Sequence, residues 1–316
     1  MPISCSTLMS IFKTHITSLP YANPTPGNVS YGGWVSDLKT YDQTKGKRKL
    51  SLDLTKENDL FLLFVLASCW SRTSKYEQSV YFTVYLKEEG KDSPSYWTLS
   101  NFIREKGNCA SIRRYIQNNY YKFTGRAITI NENYFDSAYG IAKYWNGIKD
   151  KLSDVENGKA SWKDFMIHMN GLSGLAVGCG FDKHGNLRLP GGNDKKMCIK
   201  IPLILRELRI QGVSTTIPGE YCCVPDARVC DTAKHAIIGL KGLDKHYTID
   251  DLITASTKIY NEFNVWYDIP LFAYDDLVPL VPGLTPVPKK ASKRSKKTAV
   301  PSPASSVIKT NQKKAA

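Results

Sequence analysis

The sequence predicts a mostly α-helical body followed by a basic, disordered C-terminal tail. Three observations predict this fold class: segments of helical length and composition follow one another from Asp59, β-branched alternation is rare after residue 60, and the last 30 or so residues contain almost no large apolar side chains. The chain has 316 residues, 42% of them hydrophobic, which is enough for one large core or two small lobes.

The predicted helices can be taken in chain order. The first, Asp59–Trp70, is apolar on nearly all sides and is therefore expected at the centre of the molecule. Near the other end of the body, Thr248 and Asp251 form a T-x-x-D start, which satisfies helix N-terminal amides from both sides. The remaining predicted helices are Ser74–Glu88, Thr98–Glu105, Cys109–Asn118, Asn131–Ile148, Ser161–Asn170, Lys195–Gln211, Asp226–Gly239 and Thr248–Phe263.

Two segments flank the helical body, which is predicted at residues 58–283. Residues 1–57 are predicted as an N-terminal extension, in which aromatic residues, a glycine pair and a basic turn at 28–54 favour a short β-hairpin. Residues 284–316 are mostly Pro, Ser, Lys and Ala, and they cannot bury enough apolar surface to offset the entropy of ordering. They are therefore predicted to be disordered.

The net charge of +14 is concentrated in this tail. Residues 289–316 carry nine Lys or Arg and no acid, whereas the rest of the chain holds 34 basic and 29 acidic residues. A mildly basic body with a strongly basic tail indicates a polyanionic partner, and a solubility or localisation tail is the alternative. The candidate phosphate contacts in the tail are Lys289, Lys290, Lys293 and Arg294.

Cysteines and hydropathy exclude several other classes of protein. The eight cysteines show no C-x-x-C spacing and the five histidines make no H-x-x-x-H pair, so we expect buried thiols, no metal and no cofactor. The chain has no run of 18 apolar residues and its N-terminus lacks the pattern of a secretory signal. We therefore expect an intracellular monomer that does not bind membranes.

Three segments, taken in order, resemble the helix-hairpin-helix DNA glycosylase superfamily, which includes endonuclease III and 8-oxoguanine glycosylase. The first, DLFLLFVLASCWSRTS at 59–74, looks like the family's early buried helix. The second, LRLPGGNDKKMCIKIPLILREL at 187–208, resembles the hairpin L-P-G-x-G-x-K and its following helix. The third, IPGEYCCVPDARVCDTAKHAIIGL at 217–240, resembles the segment that carries the family's catalytic aspartate.

The resemblance covers roughly residues 58–283 and includes departures. Asn193 stands where the second hairpin glycine belongs, although Asn tolerates positive φ. Pro202 is expected to kink the helix after the hairpin, because it lacks the amide of a helical hydrogen bond. The cysteine loop that binds the iron–sulfur cluster of endonuclease III is absent. The stretch WSRTSKYE at 70–77 is similar to phage-related helical modules linked to hypermodified bases.

The resemblance implies a two-lobed helix-hairpin-helix body that flips a base, which we expect to be a modified one, out of duplex DNA and excises it. Asp226 falls on the catalytic position, where a carboxylate stabilises the oxocarbenium-like sugar or positions water. The alternative is a plain N-cap, because Asp is a favoured capping residue before any helix. The other implied site residues are Lys195 or Lys196 as nucleophile or phosphate contact, Gly191, Gly192, Asn193 and Arg228 as DNA contacts, and Trp70, Ser71 and Arg72 as base-pocket residues.

Three functions remain open at this point. The first is a DNA glycosylase, in which either water or a lysine attacks C1′. The second is a non-enzymatic nucleic-acid-binding or packaging protein, such as a viral nucleoprotein, that uses the same basic tail. The third is a base-modifying transferase built on the glycosylase scaffold.

Overall fold

A computed structural model describes residues 2–19, 38–42, 46–50, 52–69, 76–119, 130, 132–172, 200–243 and 248–288. About 70% of these residues are helical, which confirms the predicted mostly α fold class. The helices of this part of the chain are α1 Cys5–His15, α2 Glu57–Cys69, α3 Tyr76–Glu88, α4 Leu99–Gly107, α5 Cys109–Asn119, α6 Asn133–Glu156, α7 Trp162–Gly171, α8 Ile201–Ile210, α9 Ala227–Ala236, α10 Ile249–Phe263, α11 Ile269–Phe272 and α12 Tyr274–Leu277.

Helix α2 lies at the centre of the packing, as its apolar composition predicts. Ten of its residues are buried, and it packs against α3, α6 and α8. Two buried rings of α2, Phe61 and Phe64, make edge-to-face contacts with Trp145 of α6, with ring centroids 5.5 and 5.6 Å apart. Among the described helices, none has the length and apolar composition that crossing a bilayer requires.

Helix α1 was not expected from the sequence, and it shares the core of the body. Ser4 caps it by accepting the Thr7 amide, and its buried Leu8 and Phe12 face the helices near the C-terminus. The Phe12 ring lies 5.4 Å from that of Trp266. Strand β1 (Ile3–Ser4) pairs in parallel with β4 (Ile237–Ile238), directly after α9. The N-terminal strand thus pairs with the residues that directly follow α9.

The short hairpin expected within residues 28–54 is present. Strands β2 (Leu38–Asp42) and β3 (Gly46–Leu50) pair antiparallel, with Leu38 opposite Leu50 and Asp42 opposite Gly46. The other strand pair in the described ranges is β1 with β4. Sheet therefore contributes little to this fold.

Two helix starts follow from local chemistry. Thr248 and Asp251 form the predicted capping box at the start of α10, with hydrogen bonds of 3.1 and 3.0 Å. Helix α8 begins at Ile201, and Pro202 lies in its first turn, where the missing amide costs no helical hydrogen bond. The expected kink at Pro202 is therefore wrong, because the proline starts the described helix and does not interrupt it.

The body continues slightly beyond its predicted end at residue 283. The buried Tyr274 hydroxyl donates to the Thr285 carbonyl at 3.2 Å, and Leu284 and Val287 pack against the core. The six described cysteines are all buried, as expected for core thiols. No group of three metal-ligating side chains converges among the described residues.

Candidate functional site

Asp226 lies at the N-terminus of α9, as the sequence predicts. Its Oδ1 accepts the Val229 amide at 2.9 Å, which makes it the N-cap of the helix. No described residue donates a hydrogen bond to Oδ2. Asp226 is half-buried, and it lies at the positive end of the α9 dipole.

A narrow cleft runs between the start of α8, the start of α9 and α11. It is lined by Lys200, Leu203, Arg206, Val224, Asp226, Asp268 and Phe272. The free space in the cleft is about 20 Å³, which is sufficient for a water molecule. Asp226 and Lys200 thus line the same cleft, although Lys200 precedes Asp226 by more than 20 residues in the sequence.

The wall of the cleft is a buried ion pair. Arg206 of α8 donates from Nη1 to Oδ1 of Asp268 at 2.7 Å, and both side chains are at most 5% exposed. The same Oδ1 accepts the Val224 amide at 2.9 Å. A buried charge needs both a counter-charge and hydrogen bonds, and Asp268 obtains both from these two donors.

Each residue of this pair shifts the pKa of the other. Burial raises the pKa of Asp268, and Arg206 and the Val224 amide only partly offset this effect. Burial alone would lower the pKa of Arg206, but the nearby Asp268 and Glu207 carboxylates outweigh it and raise the pKa. Arg206 is therefore held in its charged form inside the core.

Next to the pair, Tyr267 adopts an uncommon backbone conformation. Its φ is +52°, in the left-handed region that favours glycine. Burial, followed by the Cys222 sulfur, raises the pKa of the Tyr267 hydroxyl to about 12. The Tyr267 ring lies 5.9 Å from the guanidinium carbon of Arg206. Strained residues persist where the surroundings over-determine them, and such positions cluster at functional sites.

Arg228, the predicted DNA contact on α9, is engaged within the protein. Its Nη2 donates to Oδ2 of Asp276 at 2.8 Å, and its guanidinium stacks on the Phe272 ring at 4.3 Å from the centroid. Both partners of the ion pair keep about a third of their side-chain surface exposed. The structure thus gives Arg228 a structural role at the edge of the cleft, and its contact with DNA stays a prediction.

The other predicted site residues lie outside the described residues. These are Trp70, Ser71, Arg72, Gly191, Gly192, Asn193, Lys195, Lys196, Lys289, Lys290, Lys293 and Arg294. Helix α2 ends at Cys69, immediately before the first of them. Helix α8 begins five residues after Lys196, so the predicted helix Lys195–Gln211 is described only from Ile201 onward.

Sequence reasoning missed Lys200, Arg206 and Asp268. A signal for Arg206 exists, because Arg206 and Glu207 interrupt an otherwise apolar run, IPLIL, at the middle of a short amphipathic helix. Charges at such positions are rarely buried unless they are paired. Asp268 carries no comparable local signal, since its partner lies 62 residues away.

Comparison with protein-family models, with curated proteins and with solved structures found no match.

Proposed function

We propose that this protein is a DNA glycosylase that flips out a base and hydrolyses its N-glycosidic bond, with Asp226 as the catalytic carboxylate. The observation that carries the proposal is the shared cleft, which is lined by the helix-capping Asp226, by Lys200 and by a buried ion pair. Carboxylates in such sites stabilise the positive charge that develops at C1′ as the base departs.

The size of the cleft favours water as the attacking group. Space of about 20 Å³ accommodates a water molecule but not a nucleobase. In the proposed reaction, Asp226 takes a proton from this water, the water oxygen bonds to C1′, and the base leaves with the electron pair of the broken C1′–N bond. The base itself would be bound elsewhere, and Trp70, Ser71 and Arg72 remain the predicted pocket.

Base release is the direct test of this function. Duplexes that carry assorted modified bases are incubated with the protein, released bases are identified by mass spectrometry, and the DNA is heated in alkali. A glycosylase yields a free base and strand breaks at abasic sites. A packaging protein yields neither, and a transferase yields a nucleoside of new mass without an abasic site.

Borohydride trapping separates water from lysine as the nucleophile. If a lysine amine attacks C1′, the resulting imine is reduced by borohydride and the protein stays attached to DNA. We expect any such trapped complex to vanish when the attacking lysine is changed to Gln, with Lys195 and Lys196 as the predicted candidates, and to persist when its neighbour is changed. Lys200→Gln is measured in parallel, because Lys200 lines the cleft with Asp226, and trapping that depends on Lys200 alone would contradict the prediction for Lys195 and Lys196.

Should active protein give no trapped complex, water is the nucleophile and the lysines contact phosphate. Lys200→Gln is then expected to weaken DNA binding with little change in single-turnover base release. Lys149→Gln serves as the control, since Lys149 pairs with Glu57 at 2.7 Å and does not line the cleft.

The basic tail is expected to affect DNA affinity and not chemistry. Each phosphate neutralised by a cation contributes about 0.9 to the slope of log affinity against log salt. Truncation after Pro288 removes nine cations and keeps Thr285, Leu284 and Val287 in their packed positions. We expect a flatter salt dependence and unchanged single-turnover base release.

The matched control keeps the tail length and changes its nine Lys and Arg residues to Gln. It should reproduce the truncation if charge is the cause. An unchanged salt slope in both variants would assign the tail to another task, such as localisation.

A further inference from the structure

Asp268 connects three parts of the chain that meet at the cleft. Its Oδ1 accepts hydrogen bonds from Arg206 of α8 at 2.7 Å and from the Val224 amide at 2.9 Å. Asp268 also directly precedes α11. Asp268 is 4% exposed, so these bonds are made without competition from bulk water.

Val224 is the residue through which Asp268 acts on Asp226. The Asp226 amide donates back to the Val224 carbonyl at 2.8 Å, and the intervening Pro225 has a fixed φ. The three residues therefore form a tight turn that is held by Asp268 at one end and by the Val229 amide at the other. A displacement of Val224 would move the Asp226 carboxylate with it.

We propose that Asp268, itself oriented by Arg206, is a positioning residue that fixes the Val224–Asp226 turn and thereby the direction of the Asp226 carboxylate in the cleft. The inference rests on the proposed function, because it concerns the same carboxylate. The left-handed backbone at Tyr267 fits this role, since the chain adopts an unfavourable conformation where it brings Asp268 to Arg206.

The test compares Asp268→Ala, which removes the acceptor, with Asp268→Asn, which keeps an acceptor oxygen. Asp59 of α2 offers a matched control, because it is also 4% exposed and also accepts one backbone amide and one cation. Those two bonds, from the Asp53 amide at 2.7 Å and from Lys87 at 2.6 Å, lie in a part of the fold that does not line the cleft. Asp59→Ala and Asp59→Asn are measured in parallel.

Three readouts are needed for each variant in the full-length protein. The rate of hydrogen exchange at the Val224 amide reports whether the Val224–Asp226 turn is intact. Single-turnover base release and DNA affinity separate chemistry from binding. The affinity ratio for duplexes with a cationic pyrrolidine or a neutral tetrahydrofuran abasic analogue reports how well a carboxylate faces C1′.

If Asp268 positions Asp226, hydrogen exchange at the Val224 amide should be faster in Asp268→Ala. Base release should slow on the order of a hundredfold, and the preference for the cationic analogue should fall. DNA affinity should be retained. Asp268→Asn should recover much of the rate, and neither Asp59 variant should change these readouts. Faster Val224 exchange with an unchanged rate and unchanged cation preference would overturn the proposal. So would equal losses in the Asp59 variants, which would indicate a general effect of stability.

If Asp268→Ala does not fold, the double variant Arg206→Met/Asp268→Ala is used in its place, because it removes both charges of the pair. The same three readouts and the same outcomes apply to it. Failure of the proposed function looks different: wild-type protein then releases no base and does not prefer the cationic analogue, even with the Val224 amide fully protected. In that case the positioning role of Asp268 is excluded together with the proposed function.

Discussion

Asp226→Asn is expected to fold and to bind DNA as the wild-type protein does, while base release slows by about a hundredfold or more. Asn retains the oxygen that accepts the Val229 amide at 2.9 Å, and it is as good an N-cap as Asp. It cannot supply a full negative charge beside a developing cation, which is a loss of about 3–5 kcal/mol in transition-state stabilisation. DNA binding is expected to persist or to tighten, since a negative charge near the phosphates is removed.

The measurement is single-turnover base release, with melting temperature and DNA affinity determined on the same samples. Asp164→Asn is the matched control, because Asp164 accepts the Ser161 amide at 2.8 Å at the start of α7 and lies outside the cleft. It removes one negative charge at another helix N-terminus. Base release by Asp226→Asn at the wild-type rate would exclude Asp226 from the mechanism and remove the main support for a glycosylase.

Much of the helical architecture could be predicted because its determinants are local. The central position of α2 follows from its composition, and the start of α10 follows from the spacing of Thr248 and Asp251. Asp226 was predicted before α9 and is found as its cap. The boundaries were less accurate: the helix predicted to end at Ile148 continues to Glu156 as α6, whose residues favour a helix through that region.

The features that were missed depend on distant parts of the chain. Helix α1 is short, and its Phe12 is buried by Trp266, which no local pattern near the N-terminus indicates. Likewise, the cleft exists only because α8, the Val224–Asp226 turn and Asp268 converge. Single-sequence patterns report which face of an element is apolar, but they do not report which elements that face meets. Asp226 could therefore be predicted without its neighbours.

Arg206 provides the largest expected effect on stability. Arg206→Met removes the cation from a buried pair and leaves the Asp268 carboxylate, which is 4% exposed, without its counter-charge. Breaking such a pair costs about 3–5 kcal/mol in the free energy of unfolding, because the remaining charge stays desolvated. Urea denaturation at neutral pH measures this loss. Arg228→Met is the control, since its pair with Asp276 is about a third exposed and such pairs contribute only about 1 kcal/mol or less.

The double variant Arg206→Met/Asp268→Asn decides whether charge or packing causes the loss. Met fills a similar volume, and Asn keeps an oxygen for the Val224 amide, so neither a cavity nor an unpaired amide is created. We expect the double variant to be more stable than Arg206→Met alone, because the isolated carboxylate is gone. If Arg206→Met costs no more than Arg228→Met, the buried pair does not stabilise the fold. If the double variant recovers nothing, the loss comes from the packing of the arginine side chain against Tyr267 and its neighbours, and the charge of Asp268 is not its cause.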